Sequence, residues 1–226
     1  MRRPTLVRGG DFHFPSANNA SPDGVVAVGG EVNPTTLRRA YRAGIFPWPV
    51  GAAHPMFWFS PDPRFLLELD SVHVPRSLAK VIRQGRFEVR FDTAFADVIR
   101  ACSSRPGVGT WIDRRVIEGF IALHLEGRRD NVSAHSVEAW LDGQLVGGLY
   151  GIAAGACFAG ESMFFREPDA SKVAFVALTD RLRERGFHFV DCQVRTDNLA
   201  RFGAEEWPRA QFLERLASAV SVDLPL

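Results

Sequence analysis

The sequence predicts an α/β protein with a small N-terminal domain and a larger C-terminal domain built on a mixed sheet. The first 62 residues are rich in proline and glycine, whereas regular apolar periodicity begins only after Asp62. From there, strand and helix patterns follow one another, and three consecutive strand patterns precede a helix, a strand and a last helix. We therefore expect domains at 1–62 and 63–226.

One helix stands out in the N-terminal domain. Asn33 fits its N-cap, Pro34 its first position and Gly44 its end. Prolines follow at positions 47, 49, 55, 61 and 63. Because proline is excluded from central strands and helix interiors, we predict packed irregular chain there, with Trp48 and Trp58 exposed on loops.

The C-terminal domain alternates more regularly. Strands are predicted at 66–74, 87–91, 136–141, 144–152, 156–163 and 187–193. Helices are predicted at 75–84 and 171–185, after the caps Asp92 and Asp113, and after Pro208. The dipeptide Asp142-Gly143 predicts a two-residue hairpin between two of the strands.

Composition and charge exclude several classes of protein. Apolar residues make up 46% of the 226 residues and charged residues 23%, which is typical of a globular chain and not of a disordered one. No apolar run is long enough for a membrane helix, and none follows the first residues as in a secretory signal. The net charge is +1, so any contact with nucleic acid must come from a local basic patch.

Cysteine, histidine and glycine patterns indicate neither a metal nor a cofactor. Cys102, Cys157 and Cys192 show no C-x-x-C spacing, which fits a reducing cytoplasm. The histidines form no H-E-x-x-H motif, and the glycine-rich signatures of ATP and dinucleotide sites are absent. We expect a site built from other side chains.

Asp191 and Gln193 are the first candidates for such a site. Side chains alternate along a strand, so these two point to one side, and Cys192 points to the apolar side with His188 and Val190. Ligand sites of α/β proteins lie at the carboxyl ends of strands. The alternative is that both residues cap the strand. Cys192 is better explained as a small core residue than as a nucleophile.

Glu161, three basic residues and two further aromatics complete the candidates. Glu161 ends an apolar strand and is either a functional carboxylate or an exposed turn residue. Three cations lie along one face of a predicted helix, namely Arg76, Lys80 and Arg83. This spacing suits either contact with phosphates or a solvated surface. Trp48 and Trp111 suit a base or an apolar pocket, or simply pin irregular chain to the core. A solvated face explains Arg38, Arg39 and Arg42 better.

Several different motifs follow one another in one known order across almost the whole chain. They are Phe14-Pro15, Gly29-Gly30, Tyr41-Arg42-Ala43-Gly44-Ile45-Phe46-Pro47-Trp48, Trp58-Phe59-Ser60-Pro61-Asp62-Pro63-Arg64, Gly109-Thr110-Trp111-Ile112, Ala134-His135-Ser136-Val137-Glu138, Val146-Gly147-Gly148-Leu149-Tyr150-Gly151, Gly160-Glu161-Ser162-Met163-Phe164, Ala170-Ser171-Lys172 and Asp191-Cys192-Gln193. In this order they resemble the leucyl/phenylalanyl-tRNA–protein transferase family.

The resemblance implies an N-acetyltransferase-like (acyl-CoA N-acyltransferase) C-terminal fold, in keeping with the order of the predicted elements. It also implies a cytoplasmic enzyme that needs no cofactor. Such an enzyme takes Leu or Phe from aminoacyl-tRNA and joins it to the α-amine of a protein that begins with Arg or Lys, which marks that protein for degradation. We expect a monomer with no membrane partner, and Met is a further donor to consider.

The resemblance also implies roles for individual residues. Asp191 would hold the attacking ammonium, Gln193 would orient amine and carbonyl, and Glu161 would bond the aminoacyl-adenosine end. The positions that match the pocket for the Leu or Phe side chain are Leu149, Phe158, Met163, Phe175, Leu178 and Val190. Trp48 and Trp111 match aromatics beside the terminal adenosine, and Arg76, Lys80 and Arg83 match the tRNA-facing cluster.

Four departures from the family pattern bear on specificity. Asn198 replaces a usual His, Arg201-Phe202 replace Ser-Leu, and Phe165 stands where Ser is usual. Residues 127–133 read as an insertion. In the expected pocket, Phe175 and Leu178 exchange the large and small side chains that the family has at these two positions. A tRNA-dependent peptide-bond-forming transferase with another donor or a small-molecule acceptor therefore stays open, as do an RNA-binding module and an acetyl-CoA acyltransferase.

Overall fold

The computed structural model describes residues 4–51, 53–104 and 110–226 and contains two sheets. Gly109, part of the motif around Trp111, lies outside the described residues. The first sheet contains β1 (Thr5–Val7), β2 (Val25–Gly29), β3 (Phe46–Pro47) and β4 (Phe57–Phe59), and α1 (Pro34–Arg42) follows β2. Its strand order is β1-β2-β4-β3. Every strand from residue 64 onward belongs to the second sheet.

The second sheet contains β5 (Arg64–Glu68), β6 (Glu88–Phe91), β7 (Val132–Leu141), β8 (Gln144–Ala154), β9 (Cys157–Phe165), β10 (Phe189–Gln193) and β11 (Glu205–Trp207). Its helices are α2 (Arg76–Arg83), α3 (Phe95–Ser103), α4 (Arg114–Glu126), α5 (Ala170–Glu184), α6 (Asp197–Ala200) and α7 (Arg209–Ala219). The strand order is β11-β5-β10-β9-β8-β7-β6. Strand β10 runs parallel to β9 and antiparallel to β5, so the prediction of an α/β fold around a mixed sheet is confirmed.

The two faces of the large sheet bury separate apolar clusters. Helices α1, α3 and α4 cover one face, where Phe120 packs with Ile152. Helix α5 covers the other face, where Leu178 packs with Phe158. Successive side chains of a strand point to opposite faces, so β8 and β9 contribute to both clusters.

The local signals for helix starts and for the hairpin are mostly confirmed. The Asn33 side chain caps α1 by accepting a hydrogen bond from the Thr36 backbone N–H at 2.9 Å. The Asp113 side chain caps α4 by accepting from the Arg115 and Val116 backbone N–H groups. Asp142 and Gly143 both have positive φ, as a hairpin turn of this length requires.

The proline-rich segment is more regular than predicted. Pro47 lies in β3, which is an edge strand, so its missing N–H breaks no ladder. Strand β4 fits between Pro55 and Pro61. Trp58 is fully buried within β4 and donates its indole N–H to the Gly29 carbonyl, so the prediction of an exposed loop aromatic was wrong for this residue.

Three further sequence expectations were wrong. Asp92 does not cap α3, whose N-cap is Ala94, because its carboxylate instead binds the Ser136 backbone N–H and the His135 ring. His188 is exposed and not on the apolar side of its strand. Arg38 is buried rather than solvated, and it forms an ion pair with Glu126 at 2.9 Å.

We expect Asp113→Ala to lower the free energy of unfolding by about 1 kcal/mol, because two backbone N–H groups of α4 lose their acceptor. Asp113→Asn keeps an acceptor oxygen and loses the ion pair with Arg115, so it should cost less than half as much. Urea unfolding of both variants measures this. Equal losses would show that the ion pair, not the cap, stabilises the helix start.

Candidate functional site

Strands β9 and β10 are paired over only part of their length. The last pair is Asp191 with Ala159, whereas β9 continues to Phe165. Each strand carries a bulge at this point, with Cys192 as the extra residue in β10 and Glu161 as the extra residue in β9. Bulges re-aim side chains and are frequent beside active sites. The two strands therefore part where the candidate residues lie.

Gln193 and Glu161 connect the parted strands through their side chains. Gln193 Nε2 donates a hydrogen bond to Glu161 Oε1. Gln193 has φ +64°, in the left-handed region that costs a non-glycine residue about 1–3 kcal/mol. Both side chains are buried, with 3% of Gln193 and 9% of Glu161 exposed. The two side chains are therefore in direct contact in the interior.

Asp191 forms a buried ion pair with Arg64. The guanidinium donates from Nε to Oδ1 at 2.7 Å and from Nη2 to Oδ2 at 2.6 Å. The side chains are 1% and 4% exposed. The Arg64 guanidinium lies between the rings of Phe46 and Phe212, at 4.8 and 4.4 Å from their centroids. This geometry fixes both partners.

The same carboxylate also holds the backbone of the bulge. Asp191 Oδ1 accepts a hydrogen bond from the Gln193 backbone N–H at 3.0 Å. Both Asp191 oxygens are therefore bonded within the protein, and a substrate ammonium does not have free access to them. The arrangement suits Asp191 to positioning Gln193 more than to the expected contact with the ammonium.

Glu161 has the electrostatics of a proton-exchanging group. Burial raises the pKa of its carboxyl to about 7, against the opposing effects of Tyr41 and of the Gln193 amide. Burial and the neighbouring Glu161 also raise the pKa of the Tyr41 phenol. Tyr41 and Glu161 interact electrostatically, and neither the Tyr41 hydroxyl nor Glu161 Oε2 forms a hydrogen bond of normal geometry with any of the described residues. A buried carboxyl that titrates near neutrality is a candidate for acid–base work.

The six predicted pocket residues come together on the α5 face of the sheet. They form one apolar cluster with Leu149, Phe158, Phe175, Leu178 and Val190 buried and Met163 partly exposed. Asn198 donates a hydrogen bond to the Met163 sulfur at 3.4 Å. Because Met163 lies two residues after Glu161, the accessible side of the cluster adjoins the parted strands.

Trp48 and Trp111 stack on each other. Their ring centroids are 5.0 Å apart and the ring planes differ by 12°. Trp48 also contacts Phe46, whose ring covers the Arg64 guanidinium. A continuous set of contacts thus joins the tryptophan pair to Asp191.

Helix α2 presents the predicted basic residues to solvent. Arg76, Lys80 and Arg83 are exposed and form no ion pair with any residue in 4–51, 53–104 or 110–226. Leu78 anchors the helix to the cluster on the α5 face. These cations are therefore available to a partner on that side of the sheet.

Sequence reasoning missed the roles of Arg64 and Tyr41. Both residues occur in motifs that carried the resemblance, but no local pattern shows that an arginine in a proline-rich segment will be buried against a distant aspartate. Tyr41 fits the apolar face of α1 as an ordinary core residue. Only the tertiary contacts with Asp191 and Glu161 indicate their roles.

Within the described part of the chain, no three His, Cys, Asp or Glu side chains are grouped as metal ligands. No helix there combines the length and apolar character that a bilayer crossing requires.

Breaking the buried ion pair should be strongly destabilising. We expect Asp191→Ala or Arg64→Ala to cost about 3–5 kcal/mol of unfolding free energy, since each leaves one buried charge unpaired. The double variant Asp191→Leu with Arg64→Met should lose less unfolding free energy than the sum of the two single losses. Chemical denaturation checks this, with the exposed pair Arg114 and Glu118 as control. Single variants as stable as Arg114→Ala would contradict it.

Glu161 should make stability depend on pH. Its folded-state pKa of about 7 lies above the usual value of 4.5, so the folded protein binds more protons than the unfolded chain between these pH values, and stability is lost as pH rises through 7. Relative to the wild type, Glu161→Gln should gain up to about 3 kcal/mol between pH 4.5 and pH 8. Denaturation curves at several pH values measure the difference. Parallel pH profiles would show that Glu161 titrates normally.

Comparisons with known proteins place the chain in a family. The family model described as "Leucyl/phenylalanyl-tRNA protein transferase" matches residues 66–217, and the one for that family's N-terminal domain matches residues 30–62. A curated "Leucyl/phenylalanyl-tRNA--protein transferase" of Myxococcus xanthus (strain DK1622) is 53% identical over 210 residues, which are 92% of this chain and 87% of that protein. The protein of the same name from Nitratidesulfovibrio vulgaris (strain DP4) is 53% identical over 209 residues, 91% of this chain and 87% of that protein.

Solved structures of similar fold are more distant. A conserved protein of unknown function from Staphylococcus epidermidis ATCC 12228 has a TM-score of 0.44 at 11% identity, over 81% of this chain and 68% of that one. A GCN5-related N-acetyltransferase from Kribbella flavida has a TM-score of 0.33 at 15% identity, over 77% of this chain and 61% of that one. The identity of more than half of the aligned residues with the curated relatives decides the assignment. This chain belongs to the leucyl/phenylalanyl-tRNA–protein transferase family.

Proposed function

We propose that this enzyme moves Leu or Phe, and Met as a further donor, from aminoacyl-tRNA to the α-amine of proteins that begin with Arg or Lys. The product carries an amino terminus that marks it for degradation. We further propose that the enzyme works in the cytoplasm as a monomer of two domains, 1–62 and 63–226. Its family membership supports the donor class, and the names of its relatives supply the amino acids.

The reaction needs little chemical assistance. An aminoacyl ester is already activated, and an α-amine with a pKa of about 7.7–8.0 is partly free base at neutral pH. What remains is to position amine and ester, to accept the proton of the attacking amine and to stabilise the developing oxyanion. Side chains suffice for these tasks, so the proposal includes no metal and no cofactor.

The observation that carries the proposal is the Glu161–Gln193 contact between the parted strands. We assign proton acceptance to Glu161, because a carboxyl with a pKa of about 7 can take a proton near neutrality. Gln193 orients amine and carbonyl, since a neutral amide is too weak a base to take the proton itself. Asp191 positions the Gln193 backbone and is in turn fixed by Arg64.

The donor then occupies both faces of the sheet. The terminal adenosine contacts the pair Trp48 and Trp111, which packs against the cluster on the α1 and α4 side. The amino-acid side chain enters the apolar cluster on the α5 side, past Met163. The reacting ester lies between them, where β9 and β10 part. Arg76, Lys80 and Arg83 contribute phosphate contacts to the tRNA body.

One contact favours a donor other than Leu or Phe. Asn198, where the family usually has His, donates to the sulfur of Met163 at the accessible side of the pocket. Phe165, two residues beyond Met163, is 66% exposed. Both residues differ from the family pattern, so a related peptide-bond-forming activity with another donor is the alternative.

The test is transfer from labelled Leu-, Phe- and Met-tRNA to peptides that begin with Arg or Lys, with a Glu-starting peptide as control. We expect transfer of Leu and Phe to the first two peptides only. No transfer from any of the three donors would reject the proposed function and leave the alternative, with another donor or a small-molecule acceptor.

The proton acceptor can be tested in the same assay. We expect kcat/KM to rise with pH through about 7 as the carboxyl of Glu161 ionises, to rise further as the acceptor amine loses its proton near pH 8, and to level off above that. Glu161→Gln should slow transfer by about 100-fold or more and leave only the titration of the amine. An unchanged pH profile in this variant would contradict the role of Glu161.

A further inference from the structure

A polar cavity opens between α1 and the turn that follows α4, on the face of the sheet that carries the tryptophan pair. Its volume is about 610 Å³. It is lined by Thr35, Arg38, Arg39, Arg42, Arg128, Arg129, Asp130 and Asn131. Five of its eight lining residues are thus arginines, and we refer to it as the arginine cavity.

The guanidinium groups are held in place by the protein. Arg42 donates to the Asp130 carbonyl at 2.8 Å, and Arg38 pairs with Glu126 and reaches the Gly127 carbonyl. The Arg38 side chain is 5% exposed, and its Nε is a buried donor with no hydrogen-bond partner among the described residues. Guanidinium groups that the protein holds in place lose little freedom when they bind an oxygen-rich ligand.

Charges around the cavity leave it cationic. Three of the arginines are compensated: Arg38 by Glu126, Arg39 by Asp11 and Arg128 by Asp223. Arg42 and Arg129 have no carboxylate partner in the described ranges. Asp130, which also lines the cavity, offsets only one of these two charges. Arginine prefers phosphate as a bidentate acceptor, so the cavity suits an anion of this kind.

The turn that completes the cavity departs from the family pattern. It lies within residues 127–133, where the sequence predicts an insertion relative to the family pattern. Arg129 bridges to Val132, and Asp130 and Asn131 both have positive φ, so the turn is tight. The insertion therefore brings Arg128 and Arg129 against the arginines of α1.

Helix α4 connects the arginine cavity with the tryptophan pair. Trp111 lies just before the first turn of α4, and the cavity lies just beyond its last turn. At 1.5 Å per residue its 13 residues span about 20 Å. Stacked nucleotides advance about 3.4 Å each, so this distance corresponds to about six nucleotides.

We propose that the arginine cavity binds backbone phosphate of the donor tRNA, several nucleotides away from the terminal adenosine. This inference rests on the proposed function, which supplies a tRNA as donor. It adds a phosphate site on the face of the sheet opposite to α2, and that site depends on the inserted turn of this chain.

The experiment compares two donors in the transfer assay: Phe-tRNA and phenylalanyl-adenosine, which has no phosphate. The variant is Arg42→Ala with Arg129→Ala. We expect KM for Phe-tRNA to rise by about tenfold and the dependence of log KM on log salt to weaken by about 1 to 2. KM for phenylalanyl-adenosine should stay unchanged. The variant Arg42→Lys with Arg129→Lys should show a smaller rise in KM for Phe-tRNA, because both positive charges are retained.

The control variant, Arg100→Ala with Arg185→Ala, removes two charges elsewhere on the surface. It should change KM for neither donor. Unchanged KM for Phe-tRNA in the cavity variant would overturn the inference, and so would an equal rise for both donors, which would indicate a disturbed reaction site. Failure of the wild-type enzyme with both donors would instead reject the proposed function.

Discussion

The buried pair of Arg64 and Asp191 is the interaction on which the candidate site depends. An isolated charge in this interior would be far too costly, and the pair is tolerated because two hydrogen bonds join the charges and two aromatic rings enclose the guanidinium. The pair also joins the start of the second sheet to β10. Its value to the protein is positional: it fixes the carboxylate that holds the strained backbone of Gln193.

That strain has a structural use. A regular strand would place successive side chains on alternate faces and continue its ladder with β9. Cys192 is instead a bulge in the pairing of β10 with β5, and Glu161 is a bulge in the pairing of β9 with β8. The Gln193 carboxamide meets the Glu161 carboxylate beyond the last pair of β9 and β10. The tryptophan pair packs on one face of the sheet and the apolar cluster on the other. An aminoacyl-adenosine has one end suited to each face and its ester between them.

Much of this arrangement could be predicted from the sequence, because it is encoded locally. Caps such as Asp113, the hairpin at Asp142-Gly143 and the alternation in 187–193 identified the elements and the strand end that carries Asp191 and Gln193. The order of motifs identified the family. Contacts between distant segments could not be predicted, because they depend on tertiary packing. Examples are the burial of Arg64, the proximity of Tyr41 to Glu161 and the hydrogen bond between Asp92 and His135. The strands at Pro47 and Trp58 were missed because edge position, which permits proline, is a property of the sheet.

The most direct test of the central claim is a crystal structure with a non-reactive amide analogue of phenylalanyl-adenosine. The account predicts that the carbonyl of the analogue lies within hydrogen-bond distance of Gln193 or Glu161, between β9 and β10. Its benzyl group should contact Phe158 and Met163, and its adenine the tryptophan pair. An analogue bound elsewhere, with the Glu161–Gln193 contact unchanged and closed to it, would contradict the account.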